Sequence, residues 1–230
     1  MTADPAIRAI AALDDDLRRQ MYTFIRAARR PVTRDEAAAA VGISRKLAAF
    51  HLDKLVDAGT LCARYQPAGG IRRVGRVPKV YEPSGTDIRV SIPQRSHDIL
   101  AGILLDAVLA GQRGEDTRSA ALRAARHRGQ DIGAAERQRA RPGRLGAERA
   151  LTLISKLLER RGFEPAREAP VCVRLRNCPF HPLAAQAPDM VCGINHAFVT
   201  GIAEGLEAPA VDAVLRPRAG ECCVELRARS

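Results

Sequence analysis

The sequence predicts an α+β chain in three parts, on three observations. Apolar residues recur at helical spacing over residues 15–28, 45–58 and 147–161. Short runs bounded by Gly and Pro, at 61–66, 79–82, 163–175 and 222–226, read as strands. Charge is uneven: 17 basic against 11 acidic side chains over residues 1–98 (+6), 13 against 8 over 99–165 (+5), and 7 against 7 over 166–230. A basic front and a neutral back fit a part that meets a polyanion joined to a part that does something else.

The organising stretch is residues 33–58, TRDEAAAAVGISRKLAAFHLDKLVDA. Thr33 and Glu36 make a capping box, the Ala run favours helix to Val41, and Gly42 ends it. Ser44 caps a second helix. Its inner half is Leu47, Ala48, His51, Leu52, Leu55, Val56 and Ala58, and its outer half Lys46, Ala49, Phe50, Asp53 and Lys54. With Ser44, Arg45 and Lys46 in the first turn and Ala49, Phe50 and Lys54 on the open face, this helix suits phosphate and base-edge contact in a major groove.

Residues 15–28, with Leu17, Met21, Phe24 and Ile25 at helical spacing, pack behind that pair. Gly59 ends the second helix, and strands at 61–66 and 79–82 form a hairpin whose tip, PAGGIRRVGRVP, carries no acidic residue. Arg64, Arg72, Arg73, Arg76 and Lys79 make this a basic wing that can follow the phosphate backbone or enter a minor groove. The expected partner is double-stranded DNA. Three Tyr, five Phe and no Trp argue against recognition of single strands by base stacking.

Residues 83–94, PSGTDIRVSIPQ, read as a linker. Residues 98–110 are apolar on nearly every side, which predicts burial at a subunit interface. Residues 116–140, rich in Ala and Arg, read as a solvated helix or as a looser segment broken at Gly129 and Gly133. Leu151, Ile154 and Leu158 stripe a helix that Gly162 stops.

The expected division is therefore a winged helix-turn-helix at 1–90, a linker and central dimerisation helices at 91–145, and a small C-terminal α+β sensor domain at 146–230. A homodimer is expected, because one winged helix reads only a half-site. No run reaches the ~20 apolar residues of a membrane span and no secretory signal opens the chain, so the expectation is a cytoplasmic protein without membrane contact.

Five of the six cysteines lie between Cys172 and Cys223. Cys178 stands past a strand end, Cys192 lies on a helix over 189–205, and Cys222 lies in the last strand. Strand alternation turns Cys222 and Cys223 to opposite faces, and Cys222 is the one chosen for a common site. His181, three residues past Cys178, and His196, four past Cys192, are the candidates for a fourth ligand. The polar face Cys192, Asn195 and His196 opposes a core stripe of Met190, Ile194, Phe198 and Ile202. Such donors can hold zinc or an iron-sulfur cluster, at a spacing unlike that of a zinc ribbon.

Cys62 and Cys172 read as packing residues, His51 as a hydrogen-bonded core residue, and His97 and His127 as lacking a clustered partner. An enzyme is not expected: there is no HExxH, no phosphate-cradling Gly loop, and no paired carboxylates near the cysteines.

Residues 13–90, and VGISRKLAAFHLDKLVDAGTL in particular, resemble winged-helix transcription regulators of the ArsR and DeoR kind. Over about 145–228 the chain resembles the SufR-like iron-sulfur repressors, through Asn177-Cys178-Pro179-Phe180, Val191-Cys192 and Gly220-Glu221-Cys222. The resemblance implies a homodimeric repressor holding a 4Fe-4S cluster on three cysteines, with operator affinity set by loss or oxidation of that cluster. The chain departs from the pattern in offering His181, His196 and a doubled Cys222-Cys223. The alternatives are a winged-helix regulator that senses zinc, thiol oxidation or a small ligand without a cluster, and a DNA-targeted metalloenzyme.

Overall fold

Capping chemistry sets the helices of the first part of the chain. In the computed structural model, which describes residues 5–66 and 77–229, α1 (Pro5–Ala12) is followed by α2 (Asp16–Ala28), whose N-cap Asp15 accepts from the Arg18 amide at 2.9 Å. After β1 (Val32–Thr33), α3 (Arg34–Val41) opens on the expected capping box: Thr33 Oγ1 accepts from Glu36 N at 3.3 Å, and Glu36 Oε2 accepts from Thr33 N at 2.7 Å. Gly42, at φ 68°, closes α3 in the left-handed region, and Ser44 Oγ caps α4 (Arg45–Asp57) by accepting from Leu47 N at 3.2 Å.

Strands β2 (Leu61–Tyr65) and β3 (Lys79–Pro83) pair antiparallel, with Ala63 opposite Tyr81, in a sheet ordered β1-β3-β2. Arg72, Arg73 and Arg76 of the expected wing lie outside the described residues. Met21, Ile25, Ala37, Ala48, Leu52, Leu55 and Tyr81 are buried together as the core of this unit, which ends at Val90.

Glu36 gives this unit an acid-sensitive element. Hydrogen bonds from the Arg30 guanidinium and then from Thr33 hold its carboxyl at about 2, against 4.5 ordinarily. A depressed carboxylate contributes fully above its unfolded value and loses that contribution as pH falls through its folded one. The Arg30–Glu36 pair is largely exposed and adds little, so the cap sets the size, about 1 kcal/mol. Urea unfolding from pH 5 to pH 2 is expected to show that loss in the wild type and a smaller one in Glu36→Gln.

The second unit starts at Ser91 and contains α5 (His97–Leu109), α6 (Thr117–Ala140), α7 (Ala147–Glu159), β4 (Pro165–Ala169), β5 (Cys172–Leu175), α8 (Leu183–Gln186), α9 (Pro188–Gly205), β6 (Val211–Leu215) and β7 (Val224–Ala228). Its strands form one antiparallel sheet, ordered β4-β5-β7-β6. Residues 116–140 are not broken, and only one face of them is solvated. They form one helix that packs along α9 at backbone contact, because both helices present glycine. A Cβ on Gly129 would lie 2.2 Å from Phe198 O, and one on Gly201 would lie 2.1 Å from Arg126 O. Gly129→Ala is expected to cost about 1–3 kcal/mol in urea unfolding, as overpacking outweighs the gain in helix propensity.

This contact also corrects the three-part division. Leu100, Ile103 and Ala107 of α5 and the buried alanines of α6 share one core with Phe163, Phe198 and Leu226, so 91–145 is not a separate segment. Helix α5 is apolar apart from His97, Asp98 and Asp106, but only its α6-facing side is covered; Val108 and Leu109 remain 77% and 76% exposed. No helix among the described residues is long and apolar enough to cross a membrane.

Candidate functional site

On α4 the open face is the one expected. Ser44, Arg45, Lys46 and Lys54 are exposed, Phe50 is 55% exposed, and Ala49 is half-buried between them. Leu47, expected inside, is 41% exposed, and it lies in the first turn beside Arg45 and Lys46. Lys54 Nζ stands 5.7 Å above the Phe50 ring. Arg45 pairs with Asp35 at 2.9 Å, Arg64 with Glu82 at 3.1 Å, and Lys79 with Asp53 at 2.8 Å. The Asp53 contact raises the Lys79 pKa. Surface pairs of this kind are worth about 0–1 kcal/mol each, so a phosphate can replace the carboxylate. His51 is buried as expected, but its Nδ1 has no hydrogen-bond partner and lies 3.8 Å from Asp15.

In the second unit four cysteines meet. Cys178 follows β5 in a loop anchored by Phe180, which is fully buried and stands edge-on to Phe163 at 6.1 Å. Cys192 comes from the second turn of α9. Cys222 and Cys223 precede β7, which begins only at Val224, so strand alternation does not govern them and both thiols turn inward. Cys222 N donates to Leu175 O at 2.9 Å and Cys223 O accepts from Arg216 N at 2.7 Å, which holds the pair against β5. Cys178 touches Cys222, Cys222 touches Cys223, and Cys223 touches Cys192, a chain of sulfurs from loop, turn and helix.

Mutual contact and burial keep Cys178, Cys192 and Cys222 protonated. The Cys222 contact, then burial, pushes Cys178 well up. At Cys222 the Cys178 contact acts downward, but the Cys223 contact and burial outweigh it and push the thiol to about 12. Burial also raises Cys192, against a lowering contact with Cys223. Neutral thiols are poor nucleophiles.

Asn195 is the polar residue of α9 that serves this centre. Fully buried, it donates Nδ2 to Cys222 Sγ at 3.1 Å, while its Oδ1 has no partner. His196 does not: its Nε2 lies 3.0 Å from Ala213 O on β6, and it borders a second cavity that contains none of the cysteines. His181 borders the same cavity, of about 510 Å³, as Cys178, Cys192 and Cys223, and Arg95, Arg176, Glu164 and Glu221 also line it. Among the described residues no three His, Cys, Asp or Glu side chains close round a single metal ion.

Cys62 is exposed on β2 and Cys172 half-buried on β5. His97 has a partner after all, the His181 carbonyl at 3.0 Å, and His127 pairs with Asp131 at 3.3 Å. Sequence reasoning missed Cys223, assigned to the wrong face by a strand that starts later. It also missed Arg95, whose Nη1 reaches Asn177 Oδ1 at 2.6 Å and Cys178 O at 2.9 Å from more than eighty residues away. No family model and no curated protein matches this chain.

Proposed function

We propose that the chain is a DNA-binding transcriptional regulator, a repressor in sign, whose cysteine centre holds an iron-sulfur cluster and reports its presence or redox state. The observation that carries this reading is the meeting of Cys178, Cys192 and the adjacent pair Cys222-Cys223, from three separate stretches of chain, with Cys178, Cys192 and Cys223 lining a cavity. Four sulfurs are the donor set of cysteine-ligated clusters, and Glu221, which also lines the cavity, is taken up by Arg174 at 2.7 Å. The four cysteines would hold the cluster, Cys223 taking the place of a fourth ligand that His181 and His196 were candidates for.

When bound, such a cluster supplies a one-electron centre whose potential follows hydrogen bonds to its sulfurs. Asn195 directs an N–H at Cys222, and the buried loop at Phe180 limits solvent. At the other end, α4 with the β2–β3 hairpin is the reading head of a winged helix-turn-helix, and Arg45, Lys46 and Lys54 meet phosphate. Pairing of two copies through the uncovered face of α5 gives a homodimer that reads two half-sites.

A thiol sensor without metal is the second reading, favoured by the Cys178–Cys222 and Cys192–Cys223 contacts and opposed by the protonated state of Cys178, Cys192 and Cys222. The test is an anaerobic visible spectrum with iron and sulfide analysis, then retardation of a duplex from upstream of the gene before and after iron removal. Iron, sulfide and a broad visible band, with a change in DNA affinity on removal, support the cluster. A colourless protein that still binds the duplex leaves the DNA-binding reading standing and moves the centre to zinc or thiol chemistry. Independently, Lys46→Ala is expected to weaken binding to all duplexes alike and to lower the slope of log K against log salt by about one.

A further inference from the structure

The cysteine loop is gripped by a stretch of chain from the start of the second unit. Asn177, buried beside Cys178, donates Nδ2 to Gln94 O at 2.9 Å and to Gly162 O at 2.6 Å, and its Oδ1 accepts from Arg95. Arg95 Nη1 also donates to Cys178 O. Ser96 N donates to Pro179 O at 3.0 Å, and its hydroxyl donates to Arg161 O at 2.9 Å. His97 Nε2 stands 3.0 Å from His181 O. Four consecutive residues, 94–97, are thus each bonded to the loop 177–181.

Their place in the chain gives the clasp its meaning. Val90 ends the first unit, Ser91 begins the second, and His97 is the first residue of α5. The chain passes from the first unit to α5 only through these residues. Another support of the centre, the α6–α9 contact, sets backbone against backbone and leaves no slack in which to move. The hydrogen-bonded clasp does have slack, since carbonyls of the loop can exchange Arg95 and Ser96 for water.

We infer that residues 94–97 are the relay of the cysteine centre, and that Arg95 and Asn177 are its positioning residues. This rests on the reading of the centre as a cluster site. Ligation through Cys178 stiffens the loop and closes the clasp; loss of the ligand frees Cys178, loosens the bonds from Arg95 and Ser96, and releases the segment that leads to the DNA-binding unit. A two-state element that one site biases and another reads is what coupling requires.

Hydrogen exchange on the full-length protein, kept anaerobic, with the cluster in place and after iron removal by a chelator, tests this. The Ser96 amide and those of the first turn of α5 are expected to exchange at least about tenfold faster after removal, while amides of 129–133 and 198–202 keep their rates. Unchanged exchange at Ser96 overturns the relay. Arg95→Met supplies the second readout: iron and sulfide still bind, but the ratio of DNA dissociation constants between the two states, roughly 5–150-fold for ordinary allosteric coupling, falls toward one. A ratio equal to that of the wild type overturns the proposal. If the wild type holds neither iron nor sulfide, the cluster reading fails by itself; Ser96 exchange in Cys178→Ala, which removes the loop's contact with Cys222, then decides the relay, faster exchange than in the wild type supporting it and an unchanged rate overturning it.

Discussion

Cys223→Ser is expected to empty the cysteine centre as fully as Cys178→Ser, with iron and sulfide both lost after anaerobic reconstitution and the visible band absent. Cys223 is buried, touches both Cys222 and Cys192, and borders the cavity with Cys178 and Cys192. A hydroxyl there is a hard, weak donor in place of a soft one. The comparison that gives the result its meaning is Asn195→Leu. That change removes the N–H to Cys222 but no ligand, so it is expected to weaken iron retention by only about 10–100-fold, the usual effect of an outer partner. Cys62→Ser and Cys172→Ser, which alter thiols away from the centre, should retain full iron. Full iron and sulfide in Cys223→Ser would reduce the ligand set to three cysteines.

The second large effect is expected at Arg174. This guanidinium is fully buried and bonds Glu225, also fully buried, at 2.6 Å, Glu221 at 2.7 Å, and the Arg216 carbonyl. Burial alone would raise the Glu225 carboxyl, but its bonds from Arg174 and Arg227 outweigh that and hold it low. Arg174→Met leaves a buried carboxylate with only the more exposed Arg227 and Arg216 to answer it, and breaking such pairs costs about 3–5 kcal/mol. Since two partners remain, the lower end, about 3 kcal/mol, is the expected loss in urea unfolding followed by circular dichroism. Arg174→Met with Glu225→Leu should recover much of it, because an apolar pair of similar volume needs no compensation. Glu221 immediately precedes Cys222, so Arg174→Met is also expected to loosen the cysteine turn and lower iron retention.

How far the sequence carries differs between the two ends of the chain. In the first unit, caps and periodicity are local signals: Thr33, Glu36, Gly42 and Ser44 each act within four residues, and each does what its position predicts. Leu47 departs because it stands in the first turn of α4, ahead of the buried stripe of Ala48, Leu52 and Leu55. In the second unit the same local reasoning located β4, β5 and the helix at 188–205 and selected Cys178, Cys192 and Cys222, but it began the last strand two residues early and gave no strand at 211–215.

The sequence by itself determined the α+β class, the capped helix pair with its exposed basic face, the break near residue 90, and a group of cysteines in the final third. Those features depend on side chains a few residues apart, or on composition summed over a segment. Tertiary structure alone decided that α6 joins the C-terminal core, that Cys223 belongs with the other three thiols while His196 turns to β6, and that Arg95 holds the Cys178 loop. Each of these depends on close approach between distant segments: glycine against backbone, a turn that ends one residue before a strand begins, and a guanidinium that meets a carbonyl 83 residues away. Local periodicity holds no record of such distances, since they are fixed only when the core closes.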